Sequence, residues 1–299
     1  MLVEVKDRPS GPVASGPLVR LLPVVLVLWG FVGAYLLQLS IDRGGESRMR
    51  ERALQELAYF PSGRFIRQAA IEYRELAADW VWLRAIQYYG YHLMTDRKYE
   101  WLGHVFGILT TLDPRFIGAY HFGAITLAWD ARQPTEAIKM LYDGMKANPM
   151  TWQLPFDAAF INYMVARDYA TAGELFDIAS RLPGAWFITR RWAAVAVAKA
   201  GDYETARQMW VEMYNTTENK QLRALVVRQL QNLKLNEETD RLQAAVDKFR
   251  EDRGRLPENL HELVREGYVD RVPPRDPFDG EYVLDGAKVR STTPPSQRG

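Results

Sequence analysis

Apolar and polar positions follow three regimes along this chain. From Leu21 to Ile41 there are 21 residues without a charge, bounded by Arg20 and Asp42. As a helix rising about 1.5 Å per residue this run would reach about 31 Å, close to the roughly 30 Å hydrocarbon core of a bilayer. Pro23 would sit in its first turn, where a missing N–H is tolerated. A cleaved signal peptide would show a shorter apolar run and a small-residue cleavage site, and Gln38–Asp42 offers none. The pattern predicts a short tail at 1–20 and a retained transmembrane helix at 21–41. Lys6, Arg8 and Arg20 nearly balance Arg43, Arg48, Arg50 and Arg52, so flanking charge sets no orientation.

The second regime has helical spacing and repeats itself. Segments Ser47–Tyr59 and Gly63–Ala78 read as helices leading, over 47–82, into an array at 83–217. Four helix-starting segments align within it: Tyr99–Leu102, Pro134–Ala137, Tyr169–Ala172 and Tyr203–Ala206, their last residues 35, 35 and 34 apart. Four residues beyond each stands a large apolar side chain, Phe106, Leu141, Phe176 or Trp210. Pro114, Pro149 and Pro183 follow as helix stops. A period of this length predicts stacked helix pairs, since one pair cannot bury its apolar face alone. The stretch Arg64–Leu93 is rich in aromatic residues, among them Phe65, Tyr73, Trp80, Trp82 and Tyr88–Tyr89. They read either as packing between helices or as a binding surface.

The third regime is marked by composition. All nine Trp precede residue 211, whereas six of the 16 Pro follow residue 256. Leu222–Leu233 and Glu237–Asp252 read as two helices, the second stopped by Gly254. A short helix then starts near Pro257 and ends at Gly267. Asp285-Gly286 between two β-prone runs signals a hairpin. Residues 218–290 thus read as helices plus a small α+β module, and 291–299 as a disordered tail.

Two resemblances follow from these residues. The 34–35-residue period, the small or apolar residue opening each second helix, the large side chain four later and the terminal Pro resemble tetratricopeptide repeats. Gly90 falls where that family has Gly, although Ile125, Phe160 and Ala194 depart from it. This implies a right-handed tetratricopeptide-like solenoid, which with the transmembrane helix read from 21–41 makes the fold mainly α. The C-terminal run Phe249…Asp252-Arg-Gly254-Arg-Leu-Pro257…Gly267-Tyr…Asp276-Pro-Phe-Asp-Gly280-Glu-Tyr282 is similar to the post-helix region of major pseudopilins of type II secretion. The chain lacks the prepilin cleavage motif with its Glu early in the apolar helix, and the repeats separate the two regions. The resemblance therefore implies a borrowed docking module rather than a pilus subunit. Some pseudopilins bind calcium near this loop, which makes Asp270, Asp276, Asp279 and Asp285 candidate oxygen ligands. The alternative is that Asp276 and Asp279 cap turns.

Charge and chemistry narrow the function. Lys+Arg 38 against Asp+Glu 37 gives no basic field for nucleic acid. The chain has no Cys, which excludes disulfides, thiolate catalysis and Cys-ligated metals. His92, His104, His121 and His261 form no metal-binding spacing, and no phosphate-binding glycine loop or nucleophile elbow is present. Glu72, Glu75 and Asp79, near Arg74 and Arg84, lie at helical spacing and read as a solvated face. The expectation is no enzyme and no cofactor apart from that calcium.

Together these features predict a membrane-anchored scaffold that binds protein or peptide partners. If the first helix of each pair lines the groove, the candidate contacts are Arg84, Gln87, Tyr91, Trp129, Asp157 and Arg191. Tyr91 and Trp129 would anchor the partner, and the charged residues would orient it. The pseudopilin resemblance points to a single-pass protein of the bacterial inner (cytoplasmic) membrane. It also implies an extracytoplasmic C-terminal domain serving a secretion or type IV pilus-like complex. The alternatives are a minor structural subunit assembled through the C-terminal module, or a cytoplasm-facing adaptor.

Overall fold

The computed structural model describes residues 29–39, 67–68 and 72–298. Residues 29–39 are helical and belong to one unit of the chain, Met1–Phe60, and everything from residue 61 onward belongs to a second, Pro61–Gly299. The rest of the expected membrane span, the helix expected at 47–59 and most of residues 63–71 lie outside the described residues. Among the described residues no helix is long and apolar enough to cross a membrane.

The fold is mainly helical, with a small two-stranded sheet near the C-terminus. Among the described residues of the second unit, eight helices come first: α1 (Arg74–Met94), α2 (Leu102–Leu112), α3 (Ile117–Trp129), α4 (Pro134–Ala147), α5 (Gln153–Ile161), α6 (Tyr169–Arg181), α7 (Phe187–Lys199) and α8 (Tyr203–Thr216). A π-helical turn, Asn162–Ala166, continues α5. Each helix packs on the next, and α3 also touches α5. Residues one period apart in α2, α4, α6 and α8 share one environment. Leu102, Ala137, Ala172 and Ala206 are fully buried, and so are Phe106, Leu141 and Phe176, with Trp210 at 2%. Small residues at the first turn let neighbours approach closely. A Cβ on Gly173 of α6 would stand 2.8 Å from the Val197 side chain of α7.

The starts of these helices are written in the chain. Pro134 begins α4 with its φ already helical. Asp168 and Asp202 accept from the backbone N–H of Thr171 and Thr205, at 3.1 and 3.0 Å, capping α6 and α8. The loop before each of α2, α4, α6 and α8 also contains one left-handed residue: Arg97, Arg132, Arg167 and Gly201, with φ of 55°, 56°, 56° and 93°. They follow the same 35, 35 and 34 spacing. Only the last is glycine, so three loops hold a side chain in a conformation that costs about 1–2 kcal/mol. Glycine entropy offsets part of that. Arg132→Gly is therefore expected to raise stability by about 0.5 kcal/mol, a rise of one or two degrees in Tm by calorimetry.

The remaining chain hangs on one long helix. α9 (Lys220–Arg253) runs unbroken for 34 residues and ends at Gly254, φ 70°. The sequence reading of two helices, Leu222–Leu233 and Glu237–Asp252, is thereby corrected. Lys234-Leu235-Asn236 holds no breaker, and Leu235 is buried. Val226 and Leu233 of α9 pack with Ala194, Ala206, Trp210 and Met213. Leu242, Val246 and Phe249 pack instead with Leu263 of α10 (Leu260–Arg265) and with Tyr282 and Val289 of the hairpin. That hairpin pairs β1 (Tyr282–Asp285) antiparallel to β2 (Lys288–Ser291), with Asp285 opposite Lys288. Gly286 takes φ 61° at the first loop position, where two-residue hairpins favour glycine.

The C-terminal tail also differs from expectation, being held rather than disordered as far as residue 298. Pro295–Arg298 form a helical turn, α11. The Arg298 guanidinium donates to the Thr293 carbonyl at 2.6 Å, and the Asn232 amide donates to the Arg298 carbonyl at 2.8 Å.

Candidate functional site

The six predicted partner-binding residues do not share one fate. On α1, Gln87 is exposed and Arg84 and Tyr91 are half-buried. The Arg84 guanidinium lies 5.2 Å from the ring centroid of Trp80, and Tyr91 packs edge-on against the His92 ring. Arg191 of α7 is half-buried, with a buried Nε that has no hydrogen-bond partner among the described residues. Trp129, at the end of α3, is 39% exposed and stands 6.1 Å from the ring of Phe160 on α5. Asp157 is the correction. It is only 7% exposed, so it is no open-face contact but the floor of a cleft.

That cleft, about 190 Å³, lies between α3 and α5 and is lined by Ile125, Trp129, Asp157, Phe160 and Ile161. Helical spacing explains the lining. Ile125 and Trp129 are one turn apart on α3, and Asp157, Phe160 and Ile161 are neighbours on one side of α5. Its walls are apolar and its polar group is the Asp157 carboxylate. His121, one turn before Ile125, donates from Nδ1 to Asp157 Oδ2 at 2.7 Å. Sequence reasoning passed over His121 because its partner lies 36 residues away. The near-periodic spacing of the two was the available signal.

The pair has a defined electrostatic character. The hydrogen bond that Asp157 accepts pushes the His121 pKa up, against the effect of the ring's own burial. Burial pushes the Asp157 pKa up too, and His121 only partly offsets this. Both shifts have the same linkage sign: a folded pKa above the unfolded one gives stability present at low pH and lost as pH rises through the folded value. For His121 that window opens above the ordinary imidazole value of about 6.5. Stability at pH 6 relative to pH 8.5 is therefore expected to be greater in the native chain than in His121→Gln, by about 1 kcal/mol. Solvent screening of the half-exposed His121 ring holds the effect at the low end for a charged hydrogen bond. Urea unfolding at the two pH values checks it.

Beyond the cleft the aromatic contacts continue. Phe160 meets Trp192 edge-on at 5.7 Å, and Trp192 stacks on Phe176 at 5.9 Å. The aromatic-rich stretch near α1 divides between its two readings. Trp82 packs against Phe106, Phe116 and Phe122, whereas Tyr73 and Trp80 are 70% and 50% exposed. Asp79 is exposed on a solvated face. Larger clefts of about 670 and 640 Å³ lie between α6 and α8 and between α2 and α4. In the first, Arg181 pairs with Asp177 and Arg190 with Glu212, and Glu174 and Asp202 also line it.

The four aspartates proposed for calcium do not form a site, and among the described residues no three acidic or histidine side chains gather to hold a metal. Asp276 is 4% exposed and turned inward. It accepts from the backbone N–H of Phe278 and Gly280 at 2.7 and 3.0 Å, and from the hydroxyls of Thr293, at 2.7 Å, and Ser291. Asp285 pairs with Arg290 at 3.0 Å, Asp279 points to solvent and Asp270 is exposed. The turn-capping alternative describes Asp276. No protein-family model matches this chain, and no curated protein matches it.

Proposed function

We propose that the chain is a membrane-anchored scaffold whose helix pairs form a right-handed, tetratricopeptide-like solenoid that binds protein partners on the face formed by the first helix of each pair. The observation that supports this reading is a pair of large side chains one turn apart, Ile125 and Trp129, left open on α3 beside an apolar cleft. Ile125 and Trp129 are each 39% exposed, although α3 buries Ala124, Leu127 and Ala128 on its other side. Open aromatic and aliphatic side chains at helical spacing suit a partner helix or an extended peptide. The uncharged run 21–41 would supply a single span in the inner membrane. The C-terminal module, bound to the array through α9, would dock to an extracytoplasmic secretion or pilus-like assembly. No chemistry is assigned to the chain.

A photo-crosslinking residue at position 129, in membranes of the native host, should trap a defined adduct that is absent when the same residue replaces Tyr142 on α4. Alkaline phosphatase fused after residue 299 should be active. Equal trapping at both positions would refute the face, and an inactive fusion would refute the topology.

A further inference from the structure

We propose that the edge of the array where α5 and α7 begin sits in the headgroup layer of a phospholipid bilayer, with Met150, Trp186 and Phe187 entering it. This rests on the reading of the chain as membrane-anchored and adds which part of the array touches lipid. The first helix of every pair, α1, α3, α5 and α7, has an aromatic residue at its N-cap: Tyr73, Phe116, Trp152 and Trp186. None of the four makes a side-chain capping bond. Ser, Thr, Asp and Asn are preferred there because their oxygens accept from a free helical N–H. Packed helices joined by short loops run antiparallel, so these four starts share one edge. The caps of the opposite edge are Trp101, Gln133, Asp168 and Asp202, and its two aspartates do accept from the backbone.

At α5 and α7 the aromatic edge is also open and apolar. Met150 and Trp186 are 64 and 69% exposed and Phe187 is 41% exposed. Trp152 supports them, its ring 5.8 Å from that of Trp186. No acidic residue lies between Asp143 and Asp157 or between Asp177 and Asp202, so no carboxylate of these segments would have to leave water. Loop tips this open project outward, which suits a layer that closes around them better than a partner that needs a pocket. Tryptophan favours such a layer because its ring is apolar while its N–H still reaches headgroups or water. Lys146 and Arg181 pair with Asp143 and Asp177, so the edge offers aromatic surface more than free charge. A contact this small holds weakly in a free protein, but an anchored chain keeps it at high local concentration.

The chain contains no Cys, so a nitroxide on Met150→Cys reports a single position in the full chain, reconstituted in phosphatidylcholine nanodiscs. Power-saturation electron paramagnetic resonance compares collisions with oxygen, which concentrates in lipid, and with a nickel chelate, which stays in water. The oxygen-to-nickel ratio at position 150 should exceed that at Thr135→Cys, an exposed site in the first turn of α4 on the opposite edge, by about threefold or more. Trp186→Ala in the Met150→Cys chain should bring the ratio down to the level at position 135 with far-UV circular dichroism unchanged. Equal ratios at 150 and 135, a ratio insensitive to Trp186→Ala, or few collisions with either reagent at 150, as under a protein partner or a second copy, would overturn the proposal. If the chain stays with the nanodiscs through size-exclusion chromatography while position 150 is in water, only the lipid-facing edge is lost. If the chain does not stay with them, the membrane anchor falls and the proposal with it.

Discussion

Phe176→Ala is expected to lower the free energy of unfolding by about 3–5 kcal/mol, the largest loss from a single truncation in the helical array. Phe176 has no exposed surface and stands where two helix pairs meet. Its ring contacts Phe156 of α5 at 5.3 Å and Trp192 of α7 at 5.9 Å. Truncation removes the transfer energy of the ring and leaves a void that the surrounding aromatic side chains cannot fill without leaving their own contacts. Urea unfolding followed by far-UV circular dichroism measures the loss. Tyr142→Ala on α4, already 37% exposed, should change stability by no more than about 0.5 kcal/mol. Similar losses for the two variants would mean that the aromatic junction does not hold the pairs together.

Asp276→Ala is expected to cost about 3–5 kcal/mol in the C-terminal module. The carboxylate accepts from two backbone amides and two hydroxyls in one buried loop, and each orphaned donor costs about 1–3 kcal/mol. The hydroxyls can turn to other acceptors, but the amides of Phe278 and Gly280 cannot. Their hydrogen exchange should accelerate first. Burial raises the Asp276 pKa, yet the Ser291 and Thr293 hydroxyls and the two amides outweigh it and hold the group below the usual carboxylate range. Its folded pKa is depressed, so its contribution is complete above the ordinary value of about 3.9 and is lost as pH falls through the folded value. Calcium and a chelator should leave the melting temperature of the native chain unchanged, because the same oxygens are already occupied.

The sequence was most readable where one physical demand recurs. Ala137, Ala172 and Ala206 could be placed without a structure because close helix approach needs a small residue at each first turn. Phe106, Leu141, Phe176 and Trp210 followed because burial recurs four residues later. Gly286 and Gly254 were legible from turn and helix-stop chemistry. What stayed hidden depended on partners distant in sequence. Asp157 looks like any surface carboxylate until α3 brings His121 against it. Asp276 resembles a metal ligand until β2 and Thr293 bring their hydroxyls to it. The continuity of α9 was hidden for a different reason. Its buried positions serve two separate clusters, so the apolar stripe shifts around the helix near Asn236 and reads as a break. The left-handed Arg97, Arg132 and Arg167 gave no signal because glycine is the residue that marks such positions.

The unbroken α9 also makes the C-terminal module angularly phased to the array. The helix spans 34 residues, about 50 Å, and carries both clusters on one rigid shaft. One residue added between Leu233 and Leu235 would turn the module by about 100° about that shaft, while four would return it to within about 40° of its starting direction. The direction in which the hairpin faces is thus encoded as a residue count. Whatever docks on the module meets the array in one rotational setting, and insertions in α9 act as gear changes rather than as longer tethers.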